Sequence, residues 1–414
     1  MDHFSSRRKR VGLLKPLLSL SLVFASFLMI HKLKLAEKDV VGAKHEREDA
    51  HGWCGSSECF SLKKGVVKTS SDSPVFPSNG THPPASSWDA QVLNCSEDAS
   101  VRSQDWFRRL DPRFHQFVLH RHCRYFPMLI NHPEKCSDGD GDGDGDGVHL
   151  LMVVKSVIEQ HDRREAVRKS WGEERTVDGK KIKTLFLLGS PTTGKDTKNL
   201  QKLIEYEDQI YGDILQWDFM DTFFNLTLKE VNFLKWFDIY CSGVQFIFKG
   251  DDDVFVNTLN LLQLIGFKVE DGKDADLFVG DTISKAIPIR NRQSKYYIPK
   301  ELYDKPYPPY VGGGGFLMSS QLARRLFVVS EDLELYPIDD VFLGMCMQKL
   351  HLAPEMHPGF RTFGITRRKV SPMNGEPCFY KNLIVVHKLS AQELLRMWSV
   401  VHNEDLICAQ RVTI

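Results

Sequence analysis

The 414-residue sequence has no net charge, with 54 Lys and Arg against 54 Asp and Glu. It has no basic patch interleaved with aromatics, so it lacks the positive face by which nucleic-acid-binding proteins are recognised. There is no Cys-x-x-Cys pair, which excludes a zinc ribbon and a thioredoxin-like motif. No internal repeat of about 20–50 residues is visible, so a solenoid or propeller is excluded. The Asp-Gly run from Asp138 to Gly147 imitates the opening of an EF-hand loop but lacks the closing Glu. Counted from Asp138, Asp140 or Asp142, that twelfth place falls on His149, Leu151 or Val153, which leaves a flexible acidic linker. What the chain does have is 42% hydrophobic residues and 26% charged ones, enough to bury a sizeable core.

The N-terminus departs from that composition. Arg7-Arg8-Lys9-Arg10 precedes an apolar stretch from Val11 to Ile30, interrupted by Lys15 and Pro16. A basic cluster before such a stretch keeps the tail cytosolic and sends the remainder to the lumen. No small-x-small cleavage site follows Ile30, which favours an uncleaved anchor over a signal peptide. The expected organisation is a tail over 1–10, a transmembrane signal-anchor over 11–31, a lumenal stem over 32–120 and a catalytic domain over 121–414. All nine cysteines lie beyond the anchor, so disulfides are expected, and the odd number leaves one thiol unpaired or bonded to another chain. Asn79, Asn94 and Asn225 open Asn-x-Ser/Thr sequons, as in proteins of the secretory pathway.

From Val148 onward, apolar runs alternate with helical periods. Strands are expected over 148–157, 182–189, 214–217, 244–248, 276–281 and 383–386. Helices are expected over 163–171, 200–211, 226–240, 320–330, 338–350 and 391–401. On the helix over 200–211, Leu203, Ile204 and Ile210 are spaced for one buried face. The segment 296–315, rich in Tyr, Pro and Gly, reads as a loop. Such alternation predicts a mainly parallel sheet covered by helices on both faces.

The most informative stretch is Lys249-Gly250-Asp251-Asp252-Asp253, which follows the buried strand Val244 to Phe248. The carboxyl edge of an open α/β sheet is the usual ligand crevice, and three carboxylates there suit a cation. Alternation along extended backbone lets Asp251 and Asp253 share one metal while Asp252 faces elsewhere. Oxygen donors favour Mn²⁺ or Mg²⁺ over zinc. The competing reading is a solvated acidic turn.

Several motifs occur in series: Arg164-Glu165-Ala166-Val167-Arg168-Lys169-Ser170-Trp171, Phe186-Leu187-Leu188-Gly189, Asp218-Phe219-Met220-Asp221, Phe223-Phe224-Asn225-Leu226-Thr227, the acidic cluster, Gly312 to Gly315, and Ile338-Asp339-Asp340-Val341. This series resembles the Golgi β-1,3-glycosyltransferases that use UDP-sugars, and within them the β-1,3-N-acetylglucosaminyltransferases. The resemblance implies a nucleotide-sugar-binding α/β domain of the glycosyltransferase-A type. It implies inverting transfer of N-acetylglucosamine from UDP to the 3-hydroxyl of a terminal β-galactose on poly-N-acetyllactosamine or keratan-sulfate-type glycans. Asp340 would be the base and His387, otherwise a lone histidine, the third ligand beside Asp251 and Asp253. Lys155, Arg164, Arg168, Asp221, Lys249 and Asp252 would serve the donor. Asp339, Gly313, Gly314 and Tyr310 would serve the acceptor, with Asp339 alternatively a helix cap. Arg163 and Lys169 read equally well as a solvated helix face. UDP-galactose as donor, a non-catalytic lumenal sugar-binding protein and a metal phosphohydrolase are the alternatives.

Overall fold

The computed structural model describes residues 87–93, 95–137, 147–191, 196–366 and 371–408. The expected anchor, Cys54, Cys59, Asn79, Asn94 and nearly all of the Asp-Gly run lie outside them. Among the described residues no helix is long and apolar enough to cross a membrane.

Strand β2 (Leu150–Lys155) explains the architecture. All six of its residues are buried, because successive side chains enter different cores on opposite faces of the sheet. Leu151 and Val153 join one cluster, while Leu150, Met152 and Val154 join the other. Beside it lie β4 (Lys180–Ser190), β5 (Ile214–Met220) and β6 (Phe246–Asp251), in the order β5-β4-β2-β6 and all parallel. Helix Leu226–Tyr240 contributes Val231, Phe233 and Phe237 to the first core. Helices His161–Arg168, Thr258–Glu270 and Ala391–Val401 supply the second.

The sheet is mixed rather than mainly parallel. β1 (Met128–Ile130) and β3 (Arg175–Val177) are antiparallel to β5 and β4. Beyond β6, the order continues to β9 (Tyr310–Ser319), β8 (Phe278–Ile283) and β10 (Glu355–Met356), with β9 antiparallel to both neighbours. The four glycines expected in a loop are therefore inside a strand. Glycine has poor strand propensity, but β9 is paired on both sides and the glycines allow close approach from above. A Cβ on Gly312 would lie 2.6 Å from Thr362 Cγ2, and one on Gly315 would lie 3.0 Å from Phe248 Cζ.

A second, three-stranded sheet packs there. β7 (Val254–Val256), immediately after the acidic cluster, pairs antiparallel with β12 (Val385–His387), which pairs with β11 (Phe360–Arg361).

Two further expectations need correction. Residues 87–120, assigned to the stem, belong to the packed unit, since Trp88, Phe107, Phe114 and Leu119 are core residues. Phe107 and Leu119 sit on helices of five residues, Phe114 on a three-residue 3-10 turn and Trp88 on no helix, so no period shows in the sequence. On helix Thr197–Tyr211, Ile204 is buried, whereas Leu203 and Ile210 are 63% and 57% exposed. The buried face instead carries Glu207. Disulfides join Cys95 to Cys123, Cys136 to Cys241 and Cys378 to Cys408, and Cys346 is a buried free thiol.

Candidate active site

Parallel register places Lys155 opposite Asp251 at the carboxyl edges of β2 and β6. The chain then turns through Asp252 and Asp253 into β7, whose Val254 pairs with His387. These two registers bring Asp251, Asp253 and His387 together, with one ligand atom from each within 4.8 Å of the others. His387 Nε2 lies 2.9 Å from Asp253 Oδ1 and 3.5 Å from Asp251 Oδ2. Its Nδ1 faces the Thr362 carbonyl at 2.8 Å, to which it can only donate. That bond aims Nε2 at the carboxylates, as in metal sites where an outer partner fixes the imidazole. Burial opposes a charge on His387, but Asp253 and then Asp251 outweigh it and raise its pKa above the ordinary value. For Asp253, burial is likewise outweighed by His387 and Arg163, and its pKa is lowered. Two carboxylates and a pre-oriented imidazole fit a hard divalent cation such as Mn²⁺ or Mg²⁺.

Gly314 makes room for that imidazole. A Cβ there would lie 2.8 Å from His387 Nδ1 and 3.0 Å from Cγ, so Gly314→Ala must displace the ring. The expected result is Mn²⁺ affinity lowered about 10- to 100-fold, the usual effect of disturbing a ligand's support. Titration of Mn²⁺ into the variant checks this, and affinity equal to the parent's contradicts it.

Asp251 and His387 of the triad line a cleft of about 430 Å³. Lys155, Asp339, Asp340, Gly313, Tyr310 and His387 line it together. Lys155 spans the floor, with Nζ 3.1 Å from Asp251 Oδ1 and 2.9 Å from Asp339 Oδ2. Asp339 and Asp340 open helix Asp339–Lys349, where the dipole favours carboxylates. The cap position belongs to Ile338, so Asp339 is an ion-pair partner of Lys155 and not a cap. Burial opposes ionisation of Asp339, but Lys155 outweighs it and lowers the pKa. Asp340 has the opposite fate: burial, then the charge of Asp339, pushes it up to about 7. Two adjacent carboxyls with diverging acidities are a common arrangement for acid–base work. A Cβ on Gly313 would lie 3.4 Å from Lys155 Nζ and 3.7 Å from Asp340 Oδ2, so its absence leaves space between them. Tyr310 and Tyr296 supply aromatic walls.

Several expected donor residues are committed elsewhere. Arg164 is fully buried and makes two 2.8 Å bonds to Glu207. Arg168 pairs with Asp213 at 2.8 Å and with Glu207, while its guanidinium lies 4.0 Å from the Tyr211 ring centroid. Lys249 is buried against Glu230, and Asp221 binds Lys229 and the Gly189 N–H. None of these four lines the cleft. Arg164→Met leaves Glu207 with a missing partner in the core, and a stability loss of about 3–5 kcal/mol is expected, measurable by denaturant unfolding. Asp252, whose acidity burial weakens, accepts hydrogen bonds from Ser156 at 2.7 Å and Arg163 at 2.9 Å. Arg163, read equally as a solvated face, also reaches Asp253 at 3.4 Å and so braces the triad. Asn225 is half-buried and its amide donates to the Met220 carbonyl.

The galactosyltransferase family model matches residues 162–358. A rat protein named UDP-GlcNAc:betaGal beta-1,3-N-acetylglucosaminyltransferase 7 is 54% identical over 326 residues, covering 78% of this chain and 79% of its own. The human N-acetyllactosaminide beta-1,3-N-acetylglucosaminyltransferase 2 is 42% identical over 315 residues, 76% of each chain. A human UDP-GlcNAc:betaGal beta-1,3-N-acetylglucosaminyltransferase 9 is 48% identical over 304 residues, 70% of this chain and 74% of that one. With a mixed sheet flanked by helices, the fold is glycosyltransferase-A-like, and the protein is an enzyme of the glycosyltransferase class. The chain belongs to the galactosyltransferase family, alongside its β-1,3-N-acetylglucosaminyltransferases.

Proposed function

We propose that the enzyme transfers N-acetylglucosamine from UDP-N-acetylglucosamine, with inversion, to the 3-hydroxyl of a terminal β-galactose. One observation carries the mechanistic part: one cleft is lined by Asp251 and His387 of a metal-type triad and by the weakly acidic Asp340, and its Lys155 bridges Asp251 to Asp339, the neighbour of Asp340. The names of the relatives support the sugar and the linkage.

Asp251, Asp253 and His387 would hold Mn²⁺ or Mg²⁺, whose charge offsets that of the departing diphosphate. Asp340, ionised, accepts the proton of the galactose 3-hydroxyl as that oxygen attacks the anomeric carbon from the face opposite the diphosphate. The C–O bond to the diphosphate breaks, and its electron pair leaves with UDP. Asp339 is held charged by Lys155 and keeps the neighbouring Asp340 basic. Gly313 lets the reacting sugars approach the strand, and Tyr310 and Tyr296 offer faces for the acceptor rings.

The organisation that suits this activity is a single-pass Golgi membrane enzyme, with an anchor over 11–31 and its catalytic domain in the lumen. Three disulfides fit that oxidising side. Glycans ending in β-galactose on glycoproteins, proteoglycans or glycolipids are the partners, and Asn79, Asn94 and Asn225 are the proposed glycosylation sites. The test is transfer by the full chain in detergent with UDP-N-acetylglucosamine or UDP-galactose against a galactose-terminated acceptor. Turnover with the first donor is expected, and turnover with UDP-galactose alone overturns the reading.

A further inference from the structure

Among the described residues, four that are not glycine have a positive φ: Asp178, Lys285, His351 and Lys388. A left-handed conformation costs such a residue about 1–2 kcal/mol, and the surrounding structure must hold it there. Asp178 precedes Gly179 in the tight turn between β3 and β4, which accounts for it. Lys388, at φ +80°, is the one of the four that lines the cleft.

Its position is tied to the triad at both ends. It follows His387 directly, and the backbone N–H groups of Lys388 and Leu389 donate to the Asp253 carbonyl at 3.0 and 2.9 Å. Two ligand-bearing segments thus pin the backbone while the side chain stays exposed. Were the side chain idle, a glycine would serve this turn without strain, as Gly364 does nearby at φ +80°.

The charges around the triad leave a place for this cation. Lys155 is held between Asp251 and Asp339, and Arg163 between Asp252 and Asp253. Lys295, another lysine lining the cleft, lies 4.8 Å from the Tyr296 ring centroid and 5.5 Å from that of Phe223, on the aromatic side. A divalent cation in the triad is already matched by the charges of Asp251 and Asp253. An anionic diphosphate arriving there needs a further positive group, and Lys388 makes no ion pair with any described residue.

We infer that Lys388 binds the diphosphate of the donor and stabilises it as the leaving group. The inference rests on the proposed function and adds a catalytic residue to it. When the anomeric C–O bond breaks and the electron pair passes to the terminal phosphate oxygen, the Lys388 ammonium meets the developing charge; no proton transfer is required.

The experiment uses the full chain in detergent at saturating Mn²⁺, with UDP and uridine as ligands and Lys388→Gly, Lys388→Met and Lys388→Arg as variants. Lys388→Gly removes the charge and relieves the positive φ, so misfolding does not explain a loss. For the Gly and Met variants, UDP affinity and kcat are expected to fall about 10- to 100-fold, with uridine affinity unchanged and Arg restoring much of both. Unchanged UDP affinity and kcat in Lys388→Gly overturn the inference, as does an equal loss for uridine, which carries no phosphate. If these variants behave as the parent while the parent still transfers N-acetylglucosamine, Lys388 is excluded and the proposed function stands. A parent chain that binds no UDP overturns both.

Discussion

Asp340→Asn is expected to lower kcat by about 10²- to 10⁴-fold while UDP and Mn²⁺ still bind, because it removes the proposed proton acceptor and nothing else from the cleft. The amide matches the carboxyl in size and keeps an oxygen for the Val341 N–H, which donates to Asp340 Oδ1 at 2.8 Å. The pH dependence gives a second measurement. Burial and the adjacent charge of Asp339 push Asp340 up to about 7, and the proposed base acts in its ionised form. Transfer efficiency, kcat/KM, should therefore be full above pH 7 and fall as pH drops through that value, about tenfold per unit. Residual activity in Asp340→Asn should lose this step. A variant with near-parental kcat, or one that keeps the same acid limb, rules out Asp340 as the base.

Asp253→Ala should abolish metal-dependent turnover at ordinary Mn²⁺ concentrations. Asp253 Oδ1 faces His387 and Oδ2 faces Arg163, so the substitution deletes one proposed ligand and releases two of its neighbours. Loss of a direct ligand exceeds the cost of losing an outer partner, so a drop in Mn²⁺ affinity of more than about 100-fold is expected. Electron paramagnetic resonance counts free Mn²⁺ directly and needs no turnover. Asp252→Asn supplies the contrast: its carboxylate is turned toward Ser156 and Arg163, and Mn²⁺ affinity should fall much less. Equal losses in the two variants contradict the division of labour among the three aspartates.

The parts of this site legible in the sequence were those whose chemistry is local. Asp251 and Asp253 follow a run of apolar residues that could be read as a buried strand, and the helix 226–240 emerged with its expected bounds. The contact of His387 with the carboxylates depends on the pairing of β7 with β12, residues more than a hundred positions apart, and only the family resemblance pointed to it. Arg164 and Arg168 illustrate the reverse. Their place on the helix after the first strand, together with the family resemblance, suggests donor contacts, but Glu207 and Asp213, some forty residues downstream, fold back and neutralise them. Composition also misled at Gly312 to Gly315, where glycine serves the close approach of Thr362 and His387 to a paired strand rather than a loop. Thr362, which fixes the His387 ring through a backbone carbonyl, left no signal in the sequence, since any residue type carries that group. The signal for Lys388 is its place beside His387, but nothing in the sequence announces its left-handed backbone.

The central claim is that one cleft joins an N-acetylglucosamine donor to a galactose 3-hydroxyl, and determination of the product linkage tests it most directly. The full chain is incubated with UDP-N-acetylglucosamine, Mn²⁺ and an N-acetyllactosamine acceptor, and the product is analysed by nuclear magnetic resonance. A new β-linked N-acetylglucosamine on carbon 3 of the terminal galactose is the predicted result. Free N-acetylglucosamine and UDP with the acceptor unchanged, or an α-linked or differently placed sugar, would contradict the account.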